Sequence, residues 1–431
     1  MKGQTDYPAE VGKKARPDES PAQLIGSLEK RLGSGPESDT ARWHDWHLAS
    51  VVKSPILIGA LLVLLVNAAL LCWQPFARVD PKLMPATHTW TWWAVQEYFA
   101  TKPTPPVVLI GSSLFMHSIS REDADFLNQD LDYVRHHRSC YLERLLKDKY
   151  GQNTDAACFN FSLPGDLMSD NYMIVRTILQ DDHVPKYVVM GLSLRDFIDN
   201  AINCPGTTPP FRYLKRFTDI NDIVGLAMPQ FWQQLDFRFG QAFYLWQRKL
   251  DLQVLAEEWA KKSFRPWAEK TAFPSLLNSL DYRHHVPANL HSEVEEGMAI
   301  VKAHQPVTFD PNYADYKRRC GKANLPMFEI QAEFLKKTLQ ICKDRGIKVV
   351  VLNMPVTPEN LAMMPSGSYD RYLHTIAACA TAQGFPFKDL NTDRRFVHSD
   401  FYDTAHMNGS GGKKLLESIA AIDYINLKKS R

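Results

Sequence analysis

The run from Ile56 to Trp73 carries no charge and only Asn67 as a strongly polar residue. A chain with such a segment must either bury it in a core or thread it through a bilayer. About 20 apolar residues in a helix cross the hydrocarbon layer. The run is apolar on every face rather than along one stripe, which favours a span over a core helix. Trp73 ends it with a residue suited to the membrane interface. A cleaved signal peptide fits less well, because the preceding segment is far longer than an n-region and no A-x-A-like site follows. Leu71 is also bulky where a lipoprotein cysteine at 72 would need a small neighbour.

Basic residues orient the span. Residues 1–53 hold Lys2, Lys13, Lys14, Arg16, Lys30, Arg31, Arg42 and Lys53, whereas 74–110 hold only Arg78, Lys82 and Lys102. The bias predicts a cytoplasmic N-terminus and an extracytoplasmic bulk. Residues 1–53 lack a sustained apolar period and read as a disordered cytoplasmic tail. The transmembrane helix is expected over 54–73 and a Pro- and Trp-rich connector over 74–106. In that connector Trp90, Trp92 and Trp93 either rest at the membrane interface or pack under the domain that follows.

The net charge of +2, with no basic stripe interleaved with aromatics, argues against nucleic-acid binding. Outside the span lie Cys140, Cys158, Cys204, Cys320, Cys342 and Cys379. An even number in an oxidising compartment permits disulfides. Cys204 and Cys320 flank a long insertion and form the candidate pair, while Cys158 and Cys379 read as free buried thiols. No C-x-x-C or H-E-x-x-H spacing is present, so no metal is expected. The adjacent pairs His136-His137 and His284-His285 do not share a helical face. They read as solvated or locally hydrogen-bonded, and His44 and His47 precede the span.

From Val107 onward, short apolar runs alternate with helical patterns. Strands are expected at 107–111, 157–163, 186–193, 347–354 and 385–390. Helices are expected at 167–179, 328–343 and 369–382, with another after Gly411. This alternation predicts an α/β domain over 107–425 with a mostly parallel, helix-covered sheet. Residues 205–320 form a mainly helical insertion, a lid or docking surface, whose aromatics read as core rather than ligand pocket. Sites in such sheets lie at the carboxyl ends of strands. Gly111–Ser113, Pro164–Gly165, Gly191–Ser193 and Asn353–Pro355 all fall at such ends.

Two distant segments carry chemistry. Gly111-Ser112-Ser113 ends the first strand, and Asp403-Thr-Ala-His406 precedes the last helix. Taken alone, the first reads as a turn and the second as a surface pair. Together they supply a hydroxyl nucleophile, an imidazole base and a carboxylate to orient it. Arg195-Asp196, close to the same rim, reads as a substrate contact or a structural ion pair.

These blocks resemble those of the SGNH (GDSL-like) hydrolases, in particular the membrane-anchored branch with the ectodomain proteins of teichoic-acid D-alanylation and alginate O-acetylation. Ser113 occupies the nucleophile place and Asp403-x-x-His406 the terminal block. Gly165 resembles the second-block glycine, whose N–H faces the oxyanion. Ser193 stands where the family carries an asparagine, and Asn160 or Asn353 is a candidate replacement donor. The resemblance implies a flavodoxin-like three-layer α/β/α fold, no cofactor, and a serine esterase or O-acyltransferase. It also implies an envelope polysaccharide or glycolipid acceptor and a membrane-bound O-acyltransferase partner. A catalytically silent envelope scaffold or polymer-binding protein is the alternative. A cytoplasmic dinucleotide-binding enzyme is excluded by the span and by the lack of G-x-G-x-x-G after the first strand.

Overall fold

The computed structural model describes residues 54–75, 89–249, 252, 263 and 299–428. The expected cytoplasmic tail, His44 and His47, most of the connector, and the part of the insertion that includes His284-His285 lie outside them. The chain divides into two units, Met1–Ala69 and Leu70–Arg431. Pro55–Trp73 is a 19-residue helix with no buried residue, long and apolar enough to cross a membrane.

The main sheet has five strands, β1 (Val107–Gly111), β2 (Cys158–Asn160), β3 (Tyr187–Leu192), β4 (Lys348–Asn353) and β5 (Phe387–Asp389). They are ordered β2-β1-β3-β4-β5, and every neighbouring pair is parallel. The helices used below are α1 (Trp90–Ala100), α2 (Ser113–Leu127), α3 (Cys140–Tyr150), α4 (Met168–Thr177), α5 (Phe231–Ala242), α6 (Tyr313–Cys320), α7 (Leu325–Asp344), α8 (Ser368–Gln383) and α9 (Gly409–Ala420).

Strand residues alternate between two cores, as the period of two requires. Val108, Ile110, Val188, Met190, Val349 and Val351 join residues of α1, α4, α7 and α8 on one face. Val107, Leu109, Tyr187, Val189, Val350 and Leu352 join α2, α3 and α9 on the other. Burial on both faces explains why these strands read as continuous apolar runs. Each such Val, Leu or Ile contributes about 1.5–3 kcal/mol of burial energy.

Three helices lack a plain signal in the sequence. Helix α2 buries Ser118, Ser120, Glu122 and Asp123 among its apolar residues, which breaks the hydrophobic period. Helix α3 is short and carries five charged residues among eleven. Helix α1 lies within the expected connector. Thr89 caps it by accepting the Trp92 N–H, and it sinks Trp92, Ala94, Val95 and Tyr98 into the core. Trp90 and Trp93 pack against that core, so the tryptophan cluster lies under the domain. The folded part thus takes in residues upstream of the expected start at 107.

Two further expectations change. All seven cysteines are free. Cys204 sits beside Thr207 and Arg212, whereas Cys320 faces Arg195 and Asp199, so the candidate pair occupies different surroundings. The aromatic helix of the insertion is also not all core: Phe231 and Trp232 of α5 are 69% and 74% exposed. Only its opposite face packs inward, through Phe237 and Gly240.

Glu122 lies between α2 and α9 and is 6% exposed. Burial pushes its carboxyl up from 4.5 to about 8, with Asp125 adding to the effect and Lys413 opposing it. A folded value above the unfolded one favours the native state at low pH. That contribution is fully present below 4.5 and is lost as pH rises through about 8. The denaturant midpoint of the wild type should therefore fall across this window, and that of Glu122→Gln should fall less. Parallel profiles in urea titrations would refute the assignment.

Candidate active site

The first strand and the last helix meet at the carboxyl edge of the sheet. Register sets Gly111 of β1 opposite Gly191 of β3. A Cβ on Gly111 would lie 2.5 Å from the Gly191 carbonyl oxygen, and one on Gly191 would lie 2.7 Å from the Phe115 ring. The two glycines leave the slot that Phe115 fills, and this seats the first turn of α2. Ser112 is the N-cap residue and Ser113 the first residue of that helix, so the Ser113 hydroxyl stands at the strand end.

His406 reaches it from the opposite side. Its Nε2 lies 2.8 Å from Ser113 Oγ, and its Nδ1 lies 2.6 Å from Asp403 Oδ2. The other carboxylate oxygen of Asp403 accepts the backbone N–H groups of Ala405 and His406, at 2.7 and 2.6 Å. Asp403 therefore fixes the turn that carries its own imidazole. Phe401 bridges Met407 across this turn, and Thr404 accepts the Thr357 N–H beyond β4. Asn408 then caps α9 by accepting the Gly411 N–H, which starts the helix two residues ahead of the glycine where the sequence suggests it. Side chains of His406 and Asp403 keep 16% and 8% of their exposure. The acid is thus shielded while the imidazole stays reachable.

Gly165 adopts φ +78°, a conformation that favours glycine. Its segment runs beside β1, since Leu163 N–H donates to the Gly111 carbonyl. Arg195 holds the turn by donating from Nη2 to the Gly165 carbonyl and from Nη1 to the Asp166 carbonyl, both at 2.9 Å. Burial opposes the charge on Arg195, and Asp199 and Asp196 more than offset it. Asp199 is shared with Arg319 of α6. Of the two readings of Arg195-Asp196, these contacts are those of a structural ion pair.

The three amide or hydroxyl candidates differ. Asn160 Oδ1 accepts the Ser162 N–H, and Asn353 Nδ2 donates to Tyr369 and Asp389, so both serve local structure. Ser193 gives its N–H to Asp196, and its buried hydroxyl faces the same carboxylate.

Three aromatic neighbours of His406 escape the sequence reading. Tyr402 stacks on the imidazole, with centroids 5.5 Å apart and planes at 13°. His117 meets it edge-on at 4.9 Å. Tyr316 Oη lies 3.1 Å from Nδ1. Tyr402 adjoins Asp403, and His117 follows Ser113 by one helical turn, so spacing on either motif points to them. Tyr316 arrives from the end of the insertion and leaves no local signal. Burial, then the charges of His406 and Arg121, push His117 well below its ordinary 6.5, which keeps a second positive charge away from His406.

Elsewhere, one group among the described residues brings metal-ligating atoms together: Asp123, His136 and Cys140. Asp123 already accepts the N–H groups of Cys140 and Tyr141 at the start of α3 and faces His136 Nε2 at 2.8 Å. Burial, then Asp123, push the Cys140 thiol up to about 12. Asp123 caps the start of α3. His137 takes the hydrogen-bonded alternative: it is buried, stacked on Phe159, and its Nδ1 lies 3.2 Å from the Asn160 carbonyl oxygen.

No protein-family model matches the chain, and no curated protein matches it.

Proposed function

We propose that the chain is a membrane-anchored serine esterase or O-acyltransferase of SGNH type. The observation that carries this reading is the unbroken line from Ser113 Oγ through His406 to Asp403, with contacts of 2.8 and 2.6 Å. The strand order 2-1-3-4-5 is that of flavodoxin-like sheets and supports the fold assignment.

In the proposed reaction Ser113 Oγ attacks an acyl carbonyl carbon as His406 Nε2 takes the hydroxyl proton. The carbonyl π pair moves onto its oxygen, where the Ser113 and Gly165 N–H groups are the proposed donors. Collapse of that intermediate expels an alkoxide, which receives the proton from His406 and leaves an acyl ester on Ser113. Water or a sugar hydroxyl then attacks the ester, gives its proton to His406, and restores Ser113. Asp403 stabilises the imidazolium in both halves. The basic N-terminal segment supports an extracytoplasmic domain. The family likeness supports an envelope polysaccharide or glycolipid acceptor and a membrane-bound O-acyltransferase as acyl source.

A catalytically silent scaffold is the second reading. It draws on Ser193, which stands where the family carries an asparagine side chain as an oxyanion donor. A fluorophosphonate probe separates the two. Detergent-solubilised full-length protein should be labelled, and Ser113→Ala and His406→Ala should abolish the label without altering circular dichroism. A folded wild type that takes up no label leaves the scaffold.

A further inference from the structure

Helix α5 has a second apolar face that nothing described in the protein covers. Phe231, Trp232, Leu235 and Phe239 are 69%, 74%, 46% and 43% exposed, and Leu245 and Trp246 on the next turns are 48% and 44% exposed. The spacing of 231, 235 and 239 aligns them along one side of the helix. Their rings are contiguous, with Phe231 5.2 Å from Trp232 and Trp246 5.4 Å from Phe239. Scattered exposed hydrophobics need no explanation, but a continuous face of this kind marks an interaction site.

The surroundings indicate what covers it. Arg238 of the same helix and Lys249 after it are both exposed, and among the described residues Asp236 accepts the Trp246 indole N–H at 3.1 Å. Lys249 Nζ also sits 4.2 Å from the Trp246 ring centre. Tryptophan, phenylalanine and leucine flanked by lysine and arginine are the side chains of helices that lie in a membrane interface. The same chain carries a helix long and apolar enough to cross a bilayer. A protein groove could accept the rings, but the cations would have no role there unless it were also acidic. A lipid surface with anionic headgroups offers both partners at once.

We propose that α5 and the turns after it dock on an anionic lipid surface, rings in the acyl boundary and Arg238 and Lys249 among the headgroups. The proposal does not depend on the serine chemistry. Docking of this kind would fix the domain's orientation on the bilayer, beyond what a single tether provides.

The test uses full-length protein in nanodiscs of phosphatidylcholine alone or with phosphatidylglycerol, read by amide hydrogen exchange. Exchange over residues 231–247 should be several-fold slower in the anionic discs. Each basic group near such a surface strengthens binding roughly fivefold, so Lys249→Gln should give up about that much of the slowing. Phe231→Ser/Trp232→Ser should exchange at one rate in both discs, with the amides of β1 to β5 unchanged as proof of folding. Equal exchange of the wild type in both discs overturns the proposal. If equal and fast, the face stays open; if equal and slow, residues 250–298 or a second copy of the chain cover it.

Discussion

Replacing Asp403 by asparagine is expected to slow acylation of Ser113 by about 10⁴-fold while leaving the fold intact. Both oxygens of the acid are in use. One accepts the backbone of Ala405 and His406, and the other faces His406 Nδ1. An asparagine oxygen can keep the backbone bonds, so the turn survives. Its amide group then faces Nδ1 as a donor and forces the imidazole proton onto Nε2. That nitrogen, 2.8 Å from Ser113 Oγ, can no longer accept the hydroxyl proton. Tyr316, on the same Nδ1, carries no charge to stabilise an imidazolium. The second-order rate of fluorophosphonate labelling measures the effect. A loss of less than about tenfold would show that the acid is not what sets the tautomer, and the relay assignment would fail with it.

The ease of reading this site from sequence varied with the distance over which each residue's partners act. Asp403 and His406 interact within one turn, and Ser113 ends a buried strand, so each leaves a local pattern. Their meeting rests on two facts of the α/β alternation: β1 lies inside the sheet, and α9 returns to the face that α2 covers. Helix α2 itself was obscured, because packing against α9 buries Ser118 and Glu122 where periodicity expects apolar side chains. Arg195 reads in sequence as a substrate contact or an ion-pair partner of Asp196, after the third strand. In the fold it reaches back to the Gly165 carbonyl across 30 positions, a link that no spacing rule contains. Tyr316 and the exposed face of α5 depend on where the insertion returns and what lies outside the protein, and local pattern carries neither.

Gly412→Ala should cost more in activity than in stability, and the reason lies in how α9 meets α2. These two helices form the most extensive helix pair in the domain. A Cβ at 412 would stand 2.1 Å from the Ser118 carbonyl oxygen, a backbone atom that cannot swing aside. The helices must separate, at a cost of about 1–3 kcal/mol for an overpacked contact. Ser113 begins one helix and His406 immediately precedes the other, so the same separation opens the proton-transfer contact. A displacement of about 1 Å at a reacting pair lowers rates on the order of 10²-fold. Gly409 provides the contrast. Its Cβ would meet Asp125 Oδ2 at 2.0 Å, the end of a side chain that can turn away, so Gly409→Ala should lose far less. Gly411, whose Cβ would meet the Asp400 carbonyl at 2.5 Å, should behave like Gly412. Labelling rates and denaturant midpoints for the three alanine variants decide it. If all three lose activity only in proportion to stability, the glycine run serves packing alone and does not set the distance between His406 and Ser113.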